Sequence, residues 1–150
     1  MIVPNGSRTR FGWLLAIASL WLSLGCQQSD RRVPVAGRVL IDGQPLAHGD
    51  VIVAPHGQRP AFGKLDAEGR FVLTTNEPGD GTVIGTHSVA IRASEFIDPF
   101  HKQWYAPKKY SELASSGLAL TVGGPTDSAV IELTWDNAHP FVEAFERGGQ

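Results

Sequence analysis

From Val33 onward, apolar and polar positions alternate along most of the chain with a period of two. In VPVAGRVLID (33–42), Val33, Val35, Val39 and Ile41 share one parity while Arg38 and Asp42 take the other, which predicts a half-buried strand. DVIVAP puts Val51 and Val53 on one face and stops at Pro55, and GRFVLTT sets Phe71 and Leu73 against Arg70 and Thr74. THSVAIRA sets Val89 and Ile91 against Ser88 and Arg92. His87 shares the apolar parity, so it is expected at the buried end of a strand, hydrogen-bonded. LALTV sets Leu118, Leu120 and Val122 against Ala119 and Thr121, and AVIELTW sets Ile131, Leu133 and Trp135 against Glu132 and Thr134. A weaker seventh strand is expected in AFGKLD (61–66). Gly, Pro and Asp punctuate these segments at short intervals, as in DGQP (42–45), and together they predict an all-β antiparallel sandwich.

Two regions break the rhythm. The connection 95–117, EFIDPFHKQWYAPKKYSELASSG, is longer than compact domains normally use, and it holds Phe96, Phe100, Trp104, Tyr105 and Tyr110. With Lys102, Lys108 and Lys109 close by, the segment makes Trp104, Tyr105, Lys108, Lys109 and Tyr110 the candidate ligand-binding residues. Their chemistry suits a sugar ring, a lipid interface or a protein partner. The alternative is that these rings cap an open end of the core. The tail after Trp135 predicts one or two helical turns starting near Pro140, with Phe141, Val142 and Phe145 on one face and Gly148 ending it.

Ahead of the strands stands a different kind of segment. SRTR carries positive charge, and FGWLLAIASLWLSL (11–24) is a nearly continuous apolar run of fourteen residues. That is shorter than the roughly 20 needed to span a bilayer as a helix. Gly25 then precedes the only cysteine, Cys26, and the chain turns polar. The order of charged, apolar and small-residue regions is that of a secretory signal cut between Gly25 and Cys26. The SLGC junction resembles the lipobox of bacterial lipoproteins, with Ser23 where that motif carries Leu. The resemblance implies cleavage before Cys26, lipidation of its thiol and acylation of its new amino group. Several acyl chains, at about 0.8 kcal/mol per buried CH₂, would hold the protein to a membrane.

The expected organisation is therefore a signal peptide at 1–25, a polar tether at 26–32, the β-sandwich at 33–135 and the tail at 136–150. The expected location is the periplasmic or outer face of the cell envelope. Removing Arg8 and Arg10 from the 13 basic side chains leaves 11 against 15 acidic ones, a balance that argues against nucleic acid as a partner. The expected partners are the membrane, through Cys26, and an envelope protein or glycan.

VAGRVLIDGQPLAHGDVIVAP, GKLDAEGRFVLTT, GDGTVIGTHSVAI, PKKYSELASSGLALTV and AVIELTW, in that order, resemble the carboxypeptidase regulatory-like, or transthyretin-like, domain of small planctomycete lipoproteins. The likeness covers 33–135, with Leu65 where the family carries Thr before the Asp. It implies a seven-stranded, immunoglobulin-like (prealbumin-like) sandwich and little about activity; in carboxypeptidases the related domain is an accessory beside the catalytic one. Fold alone says little about activity.

Candidate chemistry is sparse. DAEG (66–69) lacks the ligand count of a calcium loop and reads as a hairpin turn. GDGTVIG (79–85) lacks the Lys and helix of a phosphate loop. His48, His56, His87, His101 and His139 are scattered without zinc-site spacing. No nucleophile elbow is present, and the serines of ASSG have no evident base. The transthyretin-like hydrolase of purine breakdown ends in Tyr-Arg-Gly-Ser, whereas this chain ends FERGGQ. No cofactor or catalytic residue is expected.

Overall fold

Each of the seven segments with period-two patterning folds as a strand in the computed structural model, which describes residues 31–146. In chain order the strands are β1 (Arg32–Val33), β2 (Val35–Ile41), β3 (Gln44–Pro45), β4 (Asp50–Ala54), β5 (Ala61–Lys64), β6 (Arg70–Val72), β7 (Thr82–Val83), β8 (Gly85–Arg92), β9 (Ser94–Asp98), β10 (His101–Trp104), β11 (Leu118–Val122), β12 (Thr126–Leu133) and β13 (Phe141–Ala144). A 3-10 turn (Lys108–Ser111) and α1 (Leu113–Ser116) lie between β10 and β11. Strand makes up 52% of the described residues and helix 7%, so the chain is all-β.

One antiparallel sheet runs β11-β8-β4-β5. A second runs β12-β2-β3, with β6 taking the other half of the β2 edge, where Ala36 faces Val72. The two meet at a corner where Phe62 and Thr74 exchange backbone hydrogen bonds of 2.8 Å. β1 and β7 form a short ribbon, and β9, β10 and β13 form a third sheet. Within these sheets β2 and β12 depart from the antiparallel expectation. They run parallel, with Thr126 opposite Val35 and Leu133 opposite Ile41. Adjacent parallel strands need a long crossover, and here nearly the whole domain supplies it.

The inward parity predicted for each segment is the parity that is buried. Val35 and Val39 of β2, Val51 and Val53 of β4, Phe71 of β6, Val89 and Ile91 of β8, Val122 of β11 and Ile131 of β12 join one apolar cluster drawn from both large sheets. β-branched side chains dominate it, as expected where χ1 is stiff and the backbone pleated. Ile52 and Ala90, on the opposite face of β4 and β8, are buried as well.

Local turns behave as their residues demand. Asp42 and Gly43 both have positive φ, 47° and 78°, the two-residue hairpin geometry that a D-G pair favours between β2 and β3. In the DAEG turn, Asp66 Oδ1 accepts the backbone N–H of Glu68 at 3.0 Å and of Arg70 at 2.8 Å, and Gly69 sits at φ 71°. Asp80 of the GDG turn accepts the Thr75 N–H at 2.7 Å.

The strand directions define two ends. Arg31, the turn after β4 at Pro55 and His56, and the start of β8 at Gly85 lie together around one cavity, which marks the end where the chain enters. β8 then runs eight residues, roughly 23 Å at about 3.3 Å per residue, to Arg92 at the distal end. There β9 begins, and Tyr105 donates its backbone N–H to Ala93 at 2.8 Å.

Two segments fold differently from the expectation. Arg32, assigned to the tether, already pairs with Val83 in β1. The fold does not stop at Trp135, and the tail expected to be helical is instead strand β13, antiparallel to β10 with Phe141 opposite Trp104. Phe141 and Val142 are adjacent and both exposed, which suits an edge strand with two accessible faces better than an amphipathic turn of helix.

At Gly37 the parallel pair closes to the point where an added Cβ would lie 2.1 Å from the Ala129 carbonyl oxygen. Gly37→Ala is therefore expected to cost about 1–3 kcal/mol in chemical denaturation. Gly123→Ala, with open space around it, is expected to change stability by less than about 0.5 kcal/mol.

Candidate functional site

The aromatic connection is not a loop but the body of the third sheet. Its hairpin turns at Asp98, whose carboxylate accepts the Phe100 backbone N–H at 2.8 Å and the His101 Nδ1–H at 2.7 Å. Those two donors, the backbone one first, hold the Asp98 carboxyl below the usual range. β13 docks on the other side of β10, and the Phe145 N–H extends the pairing to the Phe100 carbonyl at 2.7 Å.

Register places Phe96, Lys102 and Glu143 in one row and Ser94, Trp104 and Phe141 in the next, all on one face. Trp104 is the anchor of that face. Its indole is stacked on Phe141 with ring centres 6.3 Å apart, and its Nε1–H donates to Glu143 at 2.8 Å. The Lys102 ammonium lies 4.5 Å from the Trp104 ring centre and 5.2 Å from that of Phe96. Phe145 extends the row, 6.1 Å from Phe96. Cation–π contacts of this kind are worth about 0.5–1 kcal/mol each at exposed sites. Beyond Trp104 the apolar surface is open: Phe96 is 64% exposed, Ile97 59% and Phe145 41%.

The candidate binding residues divide. Trp104 and Tyr110 are buried, 7% and 5% exposed, and Tyr110 belongs to the core cluster. Its hydroxyl donates to the Thr134 carbonyl at 3.4 Å and accepts the Thr134 N–H at 3.3 Å. Tyr105 is half-buried and stacked on His48, ring centres 4.3 Å apart, and its hydroxyl donates to the Glu95 carboxylate, which raises the phenol above its ordinary range. Lys108 pairs with Glu143 and Lys109 with Asp136, so both candidate lysines hold intramolecular partners.

The rings that face solvent are Phe96 and Phe100 of the connection and Phe141 and Phe145 of the tail, with Ile97 and Val142 beside them. Sequence reasoning placed the two halves of this surface in separate elements. The signal for it was the pair of motifs EFID and FVEAF, adjacent apolar residues flanked by acids.

Gly25 and Cys26 lie outside the described residues. Of the histidines, His48 is at the distal end with Tyr105, His101 is on the hairpin with Asp98, and His139 follows Trp135 in the segment leading to β13. His56 and His87 share a cavity at the entry end. His87 is buried at 6% exposure and hydrogen-bonded, as its parity predicted. Among the described residues no three His, Cys, Asp or Glu side chains converge on a point that suits a metal ion. The ASSG serines serve the backbone: Ser115 donates to the Lys109 carbonyl at 2.8 Å and Ser116 to the Val89 carbonyl. Among the described residues no helix is long and apolar enough to cross a membrane.

No protein-family model matches the chain, and no curated protein or solved structure matches it at a significant level. Fold and site together define an all-β protein, built mainly from antiparallel sheets, that exposes an aromatic three-stranded sheet at its distal end.

Lys108 first, and then the Trp104 indole N–H, hold the Glu143 carboxyl below the usual carboxylate range. Its contribution is therefore complete above the unfolded-state value of about 4.3 and is lost as pH falls through the lower folded-state value. The Trp104 indole N–H resonance is expected to move in a titration step that lies below the range of an unperturbed glutamate, and Glu143→Gln is expected to remove that step.

Proposed function

We propose that this chain is a lipid-anchored module of the cell envelope, acylated at Cys26, whose role is to hold out the β9-β10-β13 sheet for binding rather than to catalyse a reaction. The observation that carries this reading is the polarity of the fold. The chain enters at one end of β8, and the aromatic sheet is rooted at the other, roughly 23 Å away. From Cys26 to Arg31 the tether reaches at most about 18 Å, so an acylated cysteine keeps the entry end near the bilayer and turns the distal end outward. Carboxypeptidase regulatory-like architecture, a seven-stranded immunoglobulin-like sandwich, is part of the same proposal. In its favour are seven patterned strands in two sheets that share one core. The binding partner under this reading is an envelope protein or glycan that meets exposed rings beside Lys102.

A chain made in a lipoprotein-processing cell is expected to begin at Cys26 and to carry the mass of its acyl chains. Cys26→Ser is expected to move it from the detergent-extracted membrane fraction to the soluble one. An unmodified sulfur, or a retained Met1, would overturn the anchor.

Phe96→Ser combined with Phe145→Ser is expected to abolish capture of a glycan or envelope partner, in glycan-array and pull-down measurements. Because both rings are exposed, stability should change by less than about 1 kcal/mol. Undiminished capture by the double variant would remove the sheet from the binding role.

A further inference from the structure

At the entry end, the turn after β4, β7 and the first residues of β8 surround a cavity of about 440 Å³. Its polar lining is Arg31, His56, Gln58, Thr86 and His87, and Pro55, Val83 and Ile84 supply apolar wall. Among the described residues no carboxylate lines it, whereas two other cavities beside β2 and β12 both include Asp127.

The imidazole of His87 is held in place. Its ring lies against Gly85, where an added Cβ would sit 3.0 Å from Cε1, and Gly85 adopts φ 141°. Nε2 is 2.7 Å from the Val83 carbonyl oxygen. A carbonyl only accepts, so Nε2 carries the hydrogen and Nδ1 is left as the ring's other polar atom. Thr86 is fixed by a 2.9 Å hydroxyl contact to Thr121 on β11. Ile84, 56% exposed, stands among the lining residues as an apolar side chain open to solvent.

The Arg31 guanidinium, the His56 imidazole and the Gln58 amide, with no carboxylate among the described lining residues, form a donor set for an oxyanion. The planar fork of Arg matches phosphate oxygens two at a time. The apolar wall beside these donors suits an anionic group that carries an apolar remainder. We infer that this cavity binds a phosphate group, supplied by an anionic phospholipid head or by free phosphate. The phospholipid source rests on the lipid-anchor reading, since a tether of at most about 18 Å brings the mouth of the cavity to the headgroup layer.

The test uses the full chain in nonionic micelles with ¹⁵N-labelled histidine, titrated separately with inorganic phosphate and with dihexanoyl phosphatidylglycerol. Sodium chloride of matched ionic strength is the control. The His56 and His87 ring signals are expected to shift saturably while those of His48, His101 and His139 stay in place. Arg31→Gln is expected to weaken binding about tenfold or more, the loss of a charged hydrogen bond. Saturation by the phospholipid, alone or more tightly than by phosphate, makes the membrane the source, and saturation by inorganic phosphate alone makes it the free anion. Shifts no larger than those of the salt control, with both probes, overturn the site. The mass at residue 26 decides the anchor separately. An acylated Cys26 with no phosphate response removes the site and keeps the anchor, while phosphate binding by a chain that is never acylated keeps the site and removes its membrane source.

Discussion

Two sheets can share one apolar cluster only if their inner faces meet without a gap, and in this protein that condition is met along β2. The strand carries Val35, Val39 and Ile41 into the cluster on one face. Its edges are covered by β12 on one side and by β6 and β3 on the other. Gly37 lets the parallel neighbour close to backbone contact, and any larger residue would push Ala129 away and loosen the layer above it. Everything at the two ends of the molecule is suspended from that packed middle.

The ends differ in how they are held. At the entry end, short turns are tied by single carboxylates and glycines. Asp80 accepts backbone N–H groups from Thr75 and Asn76 and faces Arg32 at 3.9 Å. At the distal end, side chains do the holding. Tyr105 on His48, Lys109 with Asp136 and the Lys108–Glu143–Trp104 group fasten the third sheet and the 3-10 turn to each other and to the segment after β12. Exposed ion pairs contribute little singly, so the buried Trp104 and Tyr110 rings carry the larger share. The outer edges of the third sheet bear Glu95, Asp98 and Glu143, charges of the kind that discourage pairing with a stray strand while leaving the apolar rings open. Exposed groups on a rigid β scaffold are the usual place for recognition.

Period-two patterning foretold β2, β4, β5, β6, β8, β11 and β12 and the inward residue of nearly every one, because a strand with one face buried writes its burial into every second position. The same logic found His87, and the chemistry of Asp and Gly found the turns at Asp42, Asp66 and Asp80. Ile52 and Ala90 escaped, since strands buried on both faces lose the alternation.

The third sheet was hidden for the complementary reason. In β9 and β13 both faces reach solvent, so EFID and FVEA carry no period, and a bulge between His101 and Lys102 interrupts the hairpin. Its partner strands lie some forty residues apart, Trp104 facing Phe141, and no local rule links them. By itself, then, the sequence determined an all-β body, its inward residues, its turns and the aromatic stock of 95–117, because burial and turn geometry are local demands on residue type. Only the tertiary structure decided that β2 and β12 run parallel, that Trp104 and Tyr110 are buried while Phe96 and Phe145 are open, and that His56 and His87 share a cavity with Arg31. Those are facts of long-range pairing, and pairing depends on which surfaces remain uncovered once the core has closed.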